Sequence, residues 1–208
     1  VTLETLTPHT DHLAVPDDIA DLLFRTARSV GQFTDEEVTD EQLAAVYDLV
    51  KWGPTAMNPL PLRLLVVRER DARERLAAHM AEGNRQRVLD APVTLVLAAD
   101  PAFHQPLPVL APHLPGMVDA LEPAAEQRMQ MARTNALLQV GYLIVGLRAA
   151  GLDAGPMGGM DAAGIDAEFF ADNGWQTLLV VNVGHAADGG TPYPRAARLS
   201  YEQVSQTL

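Results

Sequence analysis

The chain contains no cysteine, which excludes disulfides, thiolate nucleophiles and cysteine-ligated zinc. Lysine is nearly absent too. Lys51 is the only one, and the 15 basic residues face 27 acidic ones for a formal net charge of −12. A field of that sign repels a phosphate backbone, so nucleic acid is not an expected partner. No apolar run reaches the roughly 20 residues that span a bilayer. The longest, Ala136 to Gly151, carries Gln139 and Arg148, and reads as a core helix rather than a membrane segment. No basic stretch followed by an apolar one opens the sequence, and the expected location is cytoplasmic. A glycine-rich GxGxxG turn between strand and helix is also missing, so a Rossmann-type dinucleotide site has no support.

What remains is an ordinary globular composition. The 208 residues are 48% hydrophobic and 20% charged, enough to build one domain around its own core. Residues 1–16 mix Thr, His and Pro without a period and read as an N-terminal arm; 17–208 form the single domain. Asp17 opens a helix with Ile19, Leu22 and Leu23 on its apolar face. Thr39 and Gln42 have capping-box spacing, followed by Leu43, Val46, Tyr47 and Val50 at helical intervals. Gly53-Pro54 should end that helix.

Three short β-branched runs, 63–68, 93–99 and 177–183, predict central strands. Asp71 is placed to cap a helix running to about Met80. The spacer 101–123 holds six prolines and predicts a long excursion with little regular structure. From Glu126 to Ala150 the pattern is one long helix, apolar nearly all round in its second half and ended by Gly151. A Gly/Pro-rich loop follows, and Asp161 caps a short helix through Phe169-Phe170. Too few strands alternate with helices for a doubly wound sheet, so the expected class is α+β.

Four separated segments could carry chemistry. In Ala27-Arg28-Ser29 a guanidinium and a hydroxyl lie side by side at a helix end, a pairing suited to phosphate and equally common on solvated surfaces. In the loop 51–63, Pro54, Pro59 and Pro61 flank Asn58, which serves either a rigid connector or a ligand contact. Asn84 and Arg87 lie in a third segment that runs into Leu89-Asp90-Ala91-Pro92. The fourth is Pro156-Met157-Gly158-Gly159, where the missing Cβ atoms allow a planar ligand close to backbone N–H groups, though a loop after a helix accounts for it as well. His9, Asp11 and His12 could sketch a metal site but have no further ligand nearby, and no metal is expected. His104 and His113, on the proline-rich excursion, read as solvated loop histidines or substrate contacts. No Ser/His/Asp set has a nucleophile-elbow context.

These four segments, in this order and spacing, resemble the FMN-dependent nitroreductase family over nearly the whole chain from Asp17. The most specific stretch is GPTAMNPLP. Within the family the KWGPT, GNRQRVLDAPV, AGLDAGPMGGMD and RAARLSYEQ segments resemble the malonic semialdehyde reductase branch. The resemblance implies a mainly antiparallel sheet flanked by helices, and a homodimer with exchanged tails and FMN at the interface. It implies that Arg28, Ser29 and Arg198 contact the FMN phosphate and ribityl chain. Asn58 would reach the partner's flavin, and Asn84 with Arg87 would lie at the pyrimidine edge. Pro156, Met157, Gly158 and Gly159 would cover the ring near N5.

Three positions depart from the family pattern: Ala27 where a second arginine is common, Ala56 where a hydroxyl is common, and Gly158 where an acid is common. Arg25 or Arg195 could replace the missing cation. The implied activity is hydride transfer from NADH or NADPH, through flavin, to a small aldehyde such as malonic semialdehyde, giving 3-hydroxypropionate. The alternatives are a broad nitroreductase or quinone reductase, and a flavin-binding protein without turnover.

Overall fold

The computed structural model describes residues 12–191 and 193–208, so His9 and Asp11 of the expected arm lie outside the described residues. A four-stranded sheet forms the centre: β1 (Leu62–Val67), β2 (Val93–Ala99), β3 (Asp153–Met157) and β4 (Gln176–Gly184). Their order is β1-β2-β4-β3, every pairing antiparallel. The class is α+β, as expected, and three strands fall within a residue of the sequence reading. The fourth, β3, lies in what the sequence presents as a Gly/Pro loop. Pro156 is tolerated there because β3 is an edge strand with only one full ladder to satisfy.

Each face of the sheet carries its own helices. On one side α7 (Ala125–Ala149) and α2 (Asp40–Val50) pack against Val93, Leu95, Leu97, Val181 and Val183. On the other, α3 (Arg70–Ala78), α4 (Glu82–Asp90) and α8 (Ala162–Phe169) cover Val96, Ala98 and Val180. Since β2 is buried on both faces, its sequence runs VTLVLAA instead of alternating. Fully buried leucines such as Leu97 and Leu147 each contribute about 1.5–3 kcal/mol by leaving water.

Local signals set several helix ends. The Thr39–Gln42 capping box starts α2, with Gln42 N–H donating to Thr39 Oγ1 at 3.2 Å and Thr39 N–H to Gln42 Oε1 at 2.8 Å. Gly151 ends α7 at φ +75°, and Asp161 caps α8 by accepting from the Gly164 N–H. Glu69, not Asp71, occupies the N-cap of α3; Asp71 sits in the first turn, where its charge faces the helix dipole. The N-terminal helix, α1 (Asp17–Ala20), continues as a π-turn to Arg25 and buries Ala20, leaving Ile19 and Leu22 partly exposed.

Two further expectations change. The second half of α7 is not enclosed all round: Leu137 and Leu138 remain 46% and 47% exposed on its outer face. The proline-rich excursion contains two short helices, α5 (Leu107–Leu110) and α6 (Met117–Leu121). There His104 is no solvated loop histidine. It is buried, its Nε2 lies 2.6 Å from Glu122 Oε2, and that contact holds the Glu122 carboxyl below its usual range. His113 is exposed. A last turn, α9 (Tyr201–Val204), closes the chain as described.

Candidate cofactor site

The edge strand β3 organises the site. Beyond its ladder with β4, the Val30 N–H donates to the Ala154 carbonyl at 3.0 Å, so the segment holding Arg28 and Ser29 runs beside β3 almost as a fifth strand. Gly155 permits this: a Cβ there would collide with the Val30 carbonyl oxygen. The C-terminal tail then folds over the same edge. Arg28 Nη2 donates to the Tyr193 carbonyl, and Arg195 Nη2 donates to the Ala27 carbonyl at 2.8 Å.

The result is a cleft of about 380 Å³ that brings together Arg28, Ser29, Pro156, Arg195 and Arg198, five residues from three distant stretches of chain. Its charge pattern is unusual for so acidic a protein. Arg28, Arg195 and Arg198 have no carboxylate partner among the described residues; their bonds go to backbone carbonyls, and the Ser29 hydroxyl has no partner there. Arg148 lines the cleft too, but is paired with Asp153. Of the two arginines considered as a replacement cation near Ala27, Arg25 is committed to Asp17 and Asp21 at 2.9 and 3.0 Å, whereas Arg195 lies against Ala27 itself.

A second cleft, about 650 Å³, is lined by Gly31, Gln32, Phe33, Gln86, Arg87, Asp90, Ala187 and Gly189. Arg87 is half-buried there with no side-chain partner among the described residues, and its guanidinium lies over Gly31, where a Cβ would come within 2.8 Å of Nη2. One residue, Val30, therefore separates Ser29 of one cleft from Gly31 beneath Arg87 in the other.

A profile of the nitroreductase family matches residues 24–185. The chain belongs to the nitroreductase family. A Streptomyces griseus protein, named by inference an NADH dehydrogenase/NAD(P)H nitroreductase, is 52% identical over 188 residues, covering 90% of this chain and 95% of that one. Among solved structures, a Bacillus subtilis nitroreductase-type protein aligns with TM-score 0.80 at 20% identity, over 93% of this chain and 100% of that one. An Exiguobacterium sibiricum protein, solved in complex with FMN, aligns with TM-score 0.76 at 20% identity, over 92% and 97% of the two chains. At that identity the structures establish the shared fold.

The remaining candidates of this nitroreductase-family chain sit elsewhere. Asn84 donates from Nδ2 to the Gly159 carbonyl at 3.1 Å, joining the Ala81 N–H, which donates to the same oxygen at 3.0 Å. Gly158 and Gly159 are exposed at the end of β3, and a Cβ on Gly158 would meet nothing within 4 Å. The Met157 side chain turns the other way and is buried in the core under α3 and α8, so only its backbone could face a ligand. Asn58 lies in neither cleft. It is held at φ +56°, with Nδ2 donating to the Leu110 carbonyl at 3.0 Å, which ties the 54–61 loop to the excursion.

Two positions that sequence reasoning missed support that loop. Asn135 and Gln139, buried on α7, accept from the Ala56 and Leu62 N–H groups at 2.8 and 3.0 Å. Their polarity inside an apolar helix was the available signal. Among the described residues no group of three or more His, Asp or Glu side chains is placed to hold a metal, and no helix is long and apolar enough to cross a membrane.

Proposed function

We propose that the protein is an FMN-dependent oxidoreductase using NADH or NADPH, with FMN in the cleft beside β3 and the neighbouring Arg87 cleft. The observation that carries this reading is the group of three arginines that have no carboxylate partner among the described residues. Like charges gathered in one cleft, in a chain of net charge −12, call for an anion to offset them. Each guanidinium has five donors, so those spent on carbonyls leave several for a phosphate.

The donor set fits the cofactor along its length. Arg28, Arg195 and Arg198 would hold the phosphate, with Ser29 beside the ribityl chain. Arg195 would supply the charge that Ala27 lacks. Arg87 would stand at the pyrimidine edge, where negative charge collects on reduction and a cation raises the potential. Gly158 and Gly159, open on one side, would bring backbone N–H groups close to the ring. Bound FMN would supply hydride-transfer chemistry between a nicotinamide and an organic acceptor.

The finer reading, carried by the segment resemblance, takes a small aldehyde acid as acceptor, malonic semialdehyde giving 3-hydroxypropionate. The name of the Streptomyces griseus relative favours nitro compounds instead. Comparing turnover on the two substrates decides between them. A homodimer is part of the proposal; residues 193–198 fold over their own β3 edge, so exchange of tails would be confined to the exposed end from Leu199 onward. The outer faces of α2 and α7 leave Leu49, Leu137 and Leu138 exposed, with Trp52 just beyond α2, and the tail exposes Leu199 and Tyr201. Sedimentation at twice the monomer mass is expected.

The direct test is an absorbance spectrum of the protein after adding FMN and desalting, followed by anaerobic NADH and then NADPH. Retained flavin bands that bleach support the reading. A colourless protein overturns it.

A further inference from the structure

Two polar residues sit in the middle of the sheet where apolar ones would pack as well. Thr94 in β2 and Asn182 in β4 are register partners, 0% and 1% exposed, and the Thr94 hydroxyl donates to Asn182 Oδ1 at 2.7 Å. The other end of the amide leaves the sheet: Asn182 Nδ2 donates to the main-chain carbonyl of Arg87 at 2.8 Å. That carbonyl already receives the Ala91 N–H at 3.2 Å at the end of α4, so the sheet supplies its shorter bond.

The same cross-strand row reaches the cleft from the opposite side. Asn182 pairs with Gly155 in β3, and Gly155 is the position whose missing Cβ admits the Val30 carbonyl. Val30 precedes Gly31, the residue lying beneath the Arg87 guanidinium. One row, Thr94–Asn182–Gly155, thus references both the helix that carries Arg87 and the strand-like segment over which Arg87 extends.

We propose that Asn182, oriented by Thr94, is a positioning residue that sets the Arg87 guanidinium over Gly31 and thereby its distance to the flavin. This rests on reading Arg87 as a cofactor-facing cation. A buried polar pair is weak as a source of stability, because replacing both partners by apolar groups of similar shape is often nearly neutral. Its directional bond to α4 is what an apolar pair cannot supply.

The test compares Thr94→Val/Asn182→Leu with Arg87→Ala by FMN affinity from flavin fluorescence, the midpoint potential of bound FMN, and melting of the apoprotein. The double variant is expected to melt within a few degrees of the parent yet bind FMN roughly three- to tenfold more weakly, the equivalent of one net hydrogen bond. Its potential should fall in the same direction as that of Arg87→Ala. Combining all three substitutions should add little to Arg87→Ala alone, since they act through one group. Thr94→Ser, which keeps the hydroxyl, should match the parent.

Parent-like affinity and potential in the double variant, with both shifted in Arg87→Ala, overturn the positioning role and leave the cofactor reading standing. If Arg87→Ala shifts neither, the cofactor reading of Arg87 fails, and the positioning role with it. Should the double variant not fold, Thr94→Val alone carries the test. It removes the bond that orients the amide, and an unchanged potential would overturn the proposal.

Discussion

Two arginine-bearing regions of the protein are built differently, and the contrast bears on what each can do. At the corner between α3 and α8, Arg75 donates to Glu168 Oε1 at 2.5 Å, His79 Nε2 lies 2.5 Å from Oε2 of the same carboxylate, and the Arg75 guanidinium stacks 4.8 Å from the Phe169 ring. Every charge there is answered within the fold. In the cleft beside β3, Arg28, Arg195 and Arg198 are answered, among the described residues, by carbonyl dipoles alone. A compensated cluster can do no more than hold two helices together. A cluster of like charges without carboxylates would attract an anion, which is the role proposed for this cleft.

The sharpest way to break the comparison is to remove cations from the cleft. Arg28→Ala combined with Arg195→Ala deletes two charge-assisted contacts of about 1.5–3 kcal/mol each. FMN affinity is expected to fall by roughly a hundredfold or more. Melting of the apoprotein should stay level or rise slightly, because like charges have been taken away. Isothermal titration with FMN and a thermal scan read the two effects separately. A drop in apoprotein stability with unchanged affinity would put these arginines in the structural class.

Next in size is Gly155→Ala. The added Cβ meets the Val30 backbone carbonyl, which cannot rotate aside as a flexible side chain would. Overpacking of this kind costs about 1–3 kcal/mol. Denaturant unfolding should detect it, and FMN affinity should weaken as well, since Ser29 and Gly31 are carried on the displaced segment. Equal stability with normal binding would mean that the close approach of β3 and Val30 is incidental.

How much of this could be read in the sequence follows from how local each feature is. The capping box at Thr39–Gln42, the turn at Gly151 and the Asp161 cap are decided within a few residues, and the structure bears them out. The β-branched runs of β1, β2 and β4 were equally plain. β3 was hidden because Gly155 and Pro156 signal a loop unless one knows that the strand lies at the sheet edge, which is a property of the whole topology. Arg28 and Arg198 were legible as residue types through resemblance, but their meeting in one cleft depends on the tail folding back to β3. The sequence does not reveal the roles of Asn135 and Asn182, and Gln139 shows only as a polar break in an apolar run. Each acts on a backbone group at least 77 positions away, a separation no periodicity encodes.

The smallest expected effect belongs to the compensated corner and has a definite sign with pH. Hydrogen bonds from Arg75 and, next, His79 hold the Glu168 carboxyl below its usual range. A carboxylate with a lowered value in the folded state stabilises the fold above its unfolded value of about 4.3. That contribution disappears as pH falls through the lowered folded value. Glu168→Gln should therefore cost about 0.5–1 kcal/mol at neutral pH, discounted for partial exposure, and nothing once the pH lies below the folded value. The parent and variant stability curves, measured by urea unfolding, should converge on the acid side of pH 4.3. FMN affinity should be the same in both. Curves that stay parallel into acid would show that the corner is held by packing, Arg75 on Phe169 included, and that its charges contribute little. A fall in FMN affinity would instead connect this corner to the cleft through the Met80–Met160 bridge and the Gly159 contacts, and the division between the two kinds of arginine would no longer hold.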